Sequence, residues 1–166
     1  MPVRKSANPL EDLFTETLKD IYFAEKQILR ALPKMAKEAT SPELKEAFEK
    51  HRDETEDQVE RLNQIFEAMG RPARGKTCEA IVGIIDEAKE MMDEFKGEDA
   101  LDAALAASAQ TVEHYEIARY GTLKTWARQL GMDEAAKLLD KTLQEEIKTD
   151  KLLTDLAMRN VNRKAA

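Results

Sequence analysis

The sequence predicts an all-helical bundle, on three observations. Its 166 residues are 42% hydrophobic and 36% charged, a balance that fits one globular domain and is too polar for a membrane protein. Six Gly and five Pro leave few turns, and an aromatic share of 5% is poor in strand formers, which disfavours a β-sandwich or a doubly wound sheet. Apolar residues recur at helical spacing in long runs bounded by start and stop signals.

Asn8-Pro9 reads as an N-cap followed by Pro at the first helical position, with Glu11 and Asp12 in the first turn. From there Leu10, Phe14, Leu18, Ile21, Ile28, Leu32 and Met35 mark a helix to about Ala39, with a kink expected at Pro33. Ser41-Pro42-Glu43 repeats the start signal, and Leu44, Phe48, Leu62, Ile65, Phe66 and Met69 carry a second helix to Gly70. A loop follows, then a shorter helix over Cys78 to Phe95 and a break at Gly97. A third long helix runs from Asp99 to the stop at Gly131, and the last starts at Asp133 and passes Leu139, Leu143, Leu153 and Ala157. The four long helices have about 27 to 30 residues each, roughly 40 to 45 Å of rod. Rods of equal length pack as a bundle. The short helix, placed between the second and third long ones, provides the crossover that lets those two run parallel. The whole of 1–166 is expected to form one domain, with 1–8 and 160–166 as flexible tails.

The 33 acids outnumber the 26 bases for a net charge of -7, and the bases are scattered, so neither nucleic acid nor a membrane surface is an expected partner. Arg71 to Lys76 and Arg159 to Lys164 are short basic clusters where the helical pattern stops, and they read as a solvated loop and a tail. A lone cysteine, Cys78, makes no internal disulfide and reads as a small buried hydrophobe, and the amino terminus lacks an apolar leader. A cytoplasmic protein is expected. The chain has no Gly-rich phosphate loop, nucleophile elbow or HExxH motif.

One carboxylate interrupts each long apolar stripe near its middle: Glu25, Glu54, Glu113 and Glu146. Glu116 lies one turn after Glu113 and Asp150 one turn after Glu146, so six carboxylates are expected near one height on the bundle axis. With an acid at about one position in five, a stripe read slightly out of phase would also collect surface glutamates. Buried acids are nonetheless rare unless paired or metal-bound, and hard oxygen ligands suit iron or manganese. His51 and His114 read as hydrogen-bonding or packing residues beside the acids. Tyr22, Tyr115 and Tyr120 flank the acids too. The short helix carries an apolar strip of Ile81, Ile85, Met91 and Met92; a homodimer is expected, since bundles of this size commonly associate through such strips, with the interface residues left open.

At these acids the chain resembles the ferritin-like proteins, whose di-metal sites take one Glu from each of two helices and Glu-x-x-His from the other two. The runs LKDIYFAEKQILRALPKMA, HRDETEDQVERL, AQTVEHYEIARYGTL and LLDKTLQEEIKTDKLLTDLA more closely resemble the YciE/YciF family, the domain of unknown function 892. The resemblance spans almost the whole chain. It implies a ferritin-like four-helix bundle with a crossover helix, a homodimer, a metal site and an association with bacterial stress responses. Two iron ions, or manganese, reacting with oxygen or peroxide would be the chemistry. The alternative is a structural or protective stress protein without redox activity. The sequence departs from the ferritin pattern at Glu54-x-x-Asp57 and Glu146-x-x-Thr149, where no histidine stands in the ligand slot. Gln58, His51, His114 and Asp57 are left open as further members of the shell.

Overall fold

The computed structural model describes residues 7–166. Four long helices, α1 (Pro9–Glu38), α2 (Pro42–Ala68), α4 (Leu101–Gln129) and α5 (Asp133–Leu156), surround one core, and α3 (Glu79–Glu94) lies across α1 and α4. Around the bundle α1 neighbours α2 and α4, and α5 neighbours α2 and α4. The helix ends follow the local chemistry. Asn8 Oδ1 accepts from the backbone N–H groups of Leu10 and Glu11 at 3.1 and 3.4 Å, and Ser41 Oγ accepts from Leu44 N at 3.3 Å. At the far ends Gly70 and Gly131 adopt φ of 65° and 73°, a left-handed conformation in which glycine carries no steric cost. The first helix continues through Pro33 to Glu38.

Cross-helix contacts fix the directions. The end of α1 meets the start of α4, where the buried Asp102 accepts from Thr40 N and Ser41 N at 2.8 Å each. Farther along, Tyr120 of α4 reaches Glu25 of α1, so α1 and α4 are antiparallel. In the other pair Arg61 of α2 meets Thr142 and Glu145 of α5, while Gln110 of α4 meets Asp150 and Thr154. The topology is therefore up-down-down-up, with α3 making the crossover, the ferritin-like arrangement. No helix among the described residues is long and apolar enough to cross a membrane.

The apolar strip of α3 faces inward: Ile81 and Met92 are buried in the core, and Ile85 is only half-buried against it, because α3 must cover the groove between α1 and α4. The strip thus offers little free surface for a partner. At the other end, residues 160–165, expected as part of a tail, continue the helical path. A π-helical turn (Ala157–Val161) and a short helix, α6 (Asn162–Ala165), extend α5. They are anchored by the buried Val161 and by Lys164, whose ammonium donates to Thr40 Oγ1 at 3.1 Å. Of the expected amino-terminal tail, residues 1–6 lie outside the described residues.

Candidate metal centre

Glu25 on α1, His51 on α2, Glu113 and Glu116 on α4 and Glu146 on α5 all point into the bundle and are at most 4% exposed. His51, Glu113, Glu116 and Glu146 each present a ligand atom within 4.8 Å of the others. His51 Nε2 stands 3.0 Å from Glu113 Oε1 and 3.8 Å from Glu146 Oε2, yet neither ring nitrogen makes an aligned hydrogen bond with a described residue. Both oxygens of Glu116 and one each of Glu25, Glu113 and Glu146 likewise lack a donor.

Neighbouring side chains orient the cluster. Tyr120 donates its phenol proton to Glu25 Oε1, and the Gln58 amide donates to Glu146 Oε1 and, at 3.2 Å, to Glu145 Oε2. Arg61 completes this brace by holding both oxygens of Glu145. Glu116 faces Glu25, and Glu113 faces Glu146. Two bare carboxylates cannot hold such a contact; a shared proton or a cation between them can.

The electrostatics follow. Burial, reinforced by the charge of Glu146, pushes Glu25 up to about 8 against its bonds to Glu116 and Tyr120. Burial likewise pushes Glu113 up to about 8, with the charges of Glu25, Asp150 and Glu54 adding to it and Glu146 opposing it. Glu116 is driven well above the carboxylate range by burial and by three acidic neighbours, and Glu146 by burial and its bond to Glu113. Tyr120 is raised too, by burial and then by the charges of Glu25 and Glu116. Leaving these acids ionised and uncompensated would cost several kcal/mol each, so the centre is built to take up positive charge, as protons or as metal.

Of the six carboxylates expected at one height, Glu25, Glu113, Glu116 and Glu146 converge. Glu54 and Asp150 do not join them. Glu54 is 24% exposed and sits 3.7 Å from Lys50, while Asp150 is 23% exposed and accepts from Gln110 and lies 3.2 Å from His114. They form a rim whose charge is felt at Glu113. The physical reason is phase. On α2 the inward series runs Leu44, Phe48, His51, Thr55, Gln58, Leu62, Ile65, and Glu54 falls to one side of it. On α5 the buried series runs Leu139, Leu143, Glu146, Thr149, Leu153, and Asp150 is displaced by Thr149. His51, expected as a hydrogen-bonding or packing residue, presents a ring nitrogen within 4.8 Å of an oxygen from each of three carboxylates. His114 is 70% exposed and turned away, as its position after Glu113 implies.

The family described as domain of unknown function (DUF892) matches residues 9–166. Protein YciF of Escherichia coli (strain K12) is 49% identical over 157 residues, 94% of this chain and 95% of that protein. Among solved structures, that of the E. coli stress protein YciF superposes with a TM-score of 0.89 at 48% identity, covering 94% of this chain and 99% of that one. YcfI from Rhodopseudomonas palustris superposes with a TM-score of 0.87 at 45% identity, covering 92% and 97%.

Proposed function

The chain belongs to the domain of unknown function 892 family, and from that premise we propose that it is a stress-associated protein binding iron or manganese at its bundle centre. One observation carries the reading: buried His51, Glu113, Glu116 and Glu146, from three helices, bring ligand atoms within 4.8 Å of one another, and each keeps at least one polar atom without a hydrogen-bond partner among the described residues. The donor set fits. An imidazole with several carboxylates suits these metals better than a soft or purely structural ion. His51, Glu113, Glu116 and Glu146 would hold the first ion, and Glu25, facing Glu116 and Glu146, supplies further oxygen for a second.

When bound, such a pair supplies the Lewis acidity and reversible electron changes that a reaction with oxygen or peroxide needs. The protein's own groups prepare that chemistry. Tyr120 holds Glu25 by its phenol proton, Gln58 holds Glu146, and Arg61 fixes Glu145, which shares the Gln58 amide. Buried apolar residues on the same helices, Ile28, Val112 and Leu143, lower the local dielectric around the carboxylates. The homodimer that the family resemblance implies belongs to this reading, with an interface away from the buried residues of α3.

Reconstitution without oxygen, desalting and metal analysis by mass spectrometry test it. At least one equivalent of iron or manganese per chain is expected, and less than half an equivalent would sink the metal reading. Peroxide added to the ferrous form should change an absorbance band within seconds. A metal-loaded protein that stays silent would leave the structural, non-redox alternative in its place.

A further inference from the structure

A second site opens onto the first. A cavity of about 250 Å³ lies beneath α3, between α1 and α4, and reaches inward to α2 and α5. Ile28, Leu32, Phe48, Val112 and Leu153 form its apolar walls, and buried His51 and Glu113 close its inner end. Its outer edge carries three exposed cations: Arg30 and Lys34, one turn apart on α1, and Lys89 opposite them on α3. Lys89 has Asp86 at 3.1 Å, whereas Arg30 and Lys34 have no acidic partner among the described residues. In a protein of net charge -7, Glu113 is the one acid among the lining residues.

The geometry points to a binding site for an unbranched aliphatic carboxylate, its headgroup at Arg30 and Lys34 and its chain running inward to His51. The size follows from the cavity. A dry cavity of about 150 Å³ takes a six-carbon ring, so this one suits roughly eight to ten carbons. The charge follows from the mouth, where paired but unneutralised cations select an anion over an alcohol of equal length. The apolar walls reward the chain, because each buried methylene strengthens binding by about fourfold. His51, 4% exposed, marks the inner end of the cavity, where the apolar walls give way to the carboxylate cluster. This site goes beyond the metal reading and does not depend on it.

Calorimetric titration of the full-length protein, as purified and at low salt near pH 7.4, tests the inference with octanoate, decanoate, dodecanoate and decanol. One decanoate per chain is expected, with affinity rising about fourfold per methylene up to decanoate and levelling beyond it. Arg30→Glu with Lys34→Glu, both on the surface, should weaken decanoate at least tenfold and leave decanol unchanged. Ala109→Phe, which fills the cavity, should abolish both. Should that variant fail to fold, Ala31→Phe at the half-buried edge does the same from outside the core. Absence of decanoate binding, an affinity independent of chain length, or indifference to the charge reversal would overturn the proposal. So would a dimer that excludes decanoate and dissociates on charge reversal, since a second copy of the chain would then be the occupant.

Discussion

Arg61 of α2 grips Glu145 of α5 with two nitrogens, Nη1 to Oε2 at 2.6 Å and Nη2 to Oε1 at 2.7 Å, and so fixes the residue next to buried Glu146. Gln58 bonds both acids, so this ion pair sets where the Glu146 carboxylate points. Burial alone would raise Glu145, but its bonds to Arg61 and Gln58 together hold it below the usual range. Arg61→Met should lower stability by about 1–3 kcal/mol, because a partly buried acid loses its partner. The sign with pH follows: a depressed carboxylate stabilises above its unfolded value near 4.3 and loses that contribution as pH falls through the folded one. Chemical denaturation should therefore show the Arg61→Met deficit at pH 7 and a smaller one near pH 3.

The centre titrates in the opposite sense. Glu25 and Glu113, raised to about 8 when folded, keep protons that the unfolded chain releases near 4.3. Their contribution is full below about pH 4 and is lost as pH rises through 8. Metal-free protein should thus melt at progressively lower temperature from pH 5 to 8 by scanning calorimetry in chelator. With manganese present the increment over the metal-free form should grow across that window, because metal displaces those protons. A metal-free protein that becomes more stable over the same range would contradict this assignment.

The helix boundaries were legible in the sequence because caps and stops are local. Asn8, Ser41, Gly70 and Gly131 mark ends through their own backbone chemistry, and the observed helices begin and end within about two residues of the expected positions. Glu25, Glu113, Glu116 and Glu146 were legible for a related reason: each sits in phase with its own apolar neighbours. The rest of the site is harder to see because residue type and helical phase point to different positions. Glu54 is an acid but lies off the α2 stripe, whereas His51, Thr55 and Gln58 are in phase with it and are all buried. That uninterrupted polar run within an apolar series was the available signal. The inward packing of Ile81 and Met92 could not be read from α3 alone, since it depends on the groove that α1 and α4 leave open.

Tyr120→Phe removes the phenol donor to Glu25 while preserving the ring that fills the core. Metal affinity should fall about tenfold or more, as for other partners that orient a ligand, and thermal stability of the metal-free form should drop by about 1 kcal/mol. Competitive titration against a metal indicator reads the first effect and calorimetry the second. Unchanged affinity would place Glu25 outside the shell.

A paired comparison separates the core from the rim. His51→Ala should reduce metal retained after desalting to less than half the wild-type amount, while Glu54→Gln and Asp150→Asn should change it by less than about twofold. A larger loss from the rim variants than from His51→Ala would reverse the division.

Anomalous diffraction at the iron edge, from crystals of protein reconstituted with ferrous iron without oxygen, tests the central claim most directly. A peak within bonding distance of His51, Glu113, Glu116 and Glu146 is the expected result, with any second peak beside Glu25. Density confined to the Glu54 and Asp150 rim, or no peak in crystals that otherwise diffract well, would contradict a metal centre in the bundle.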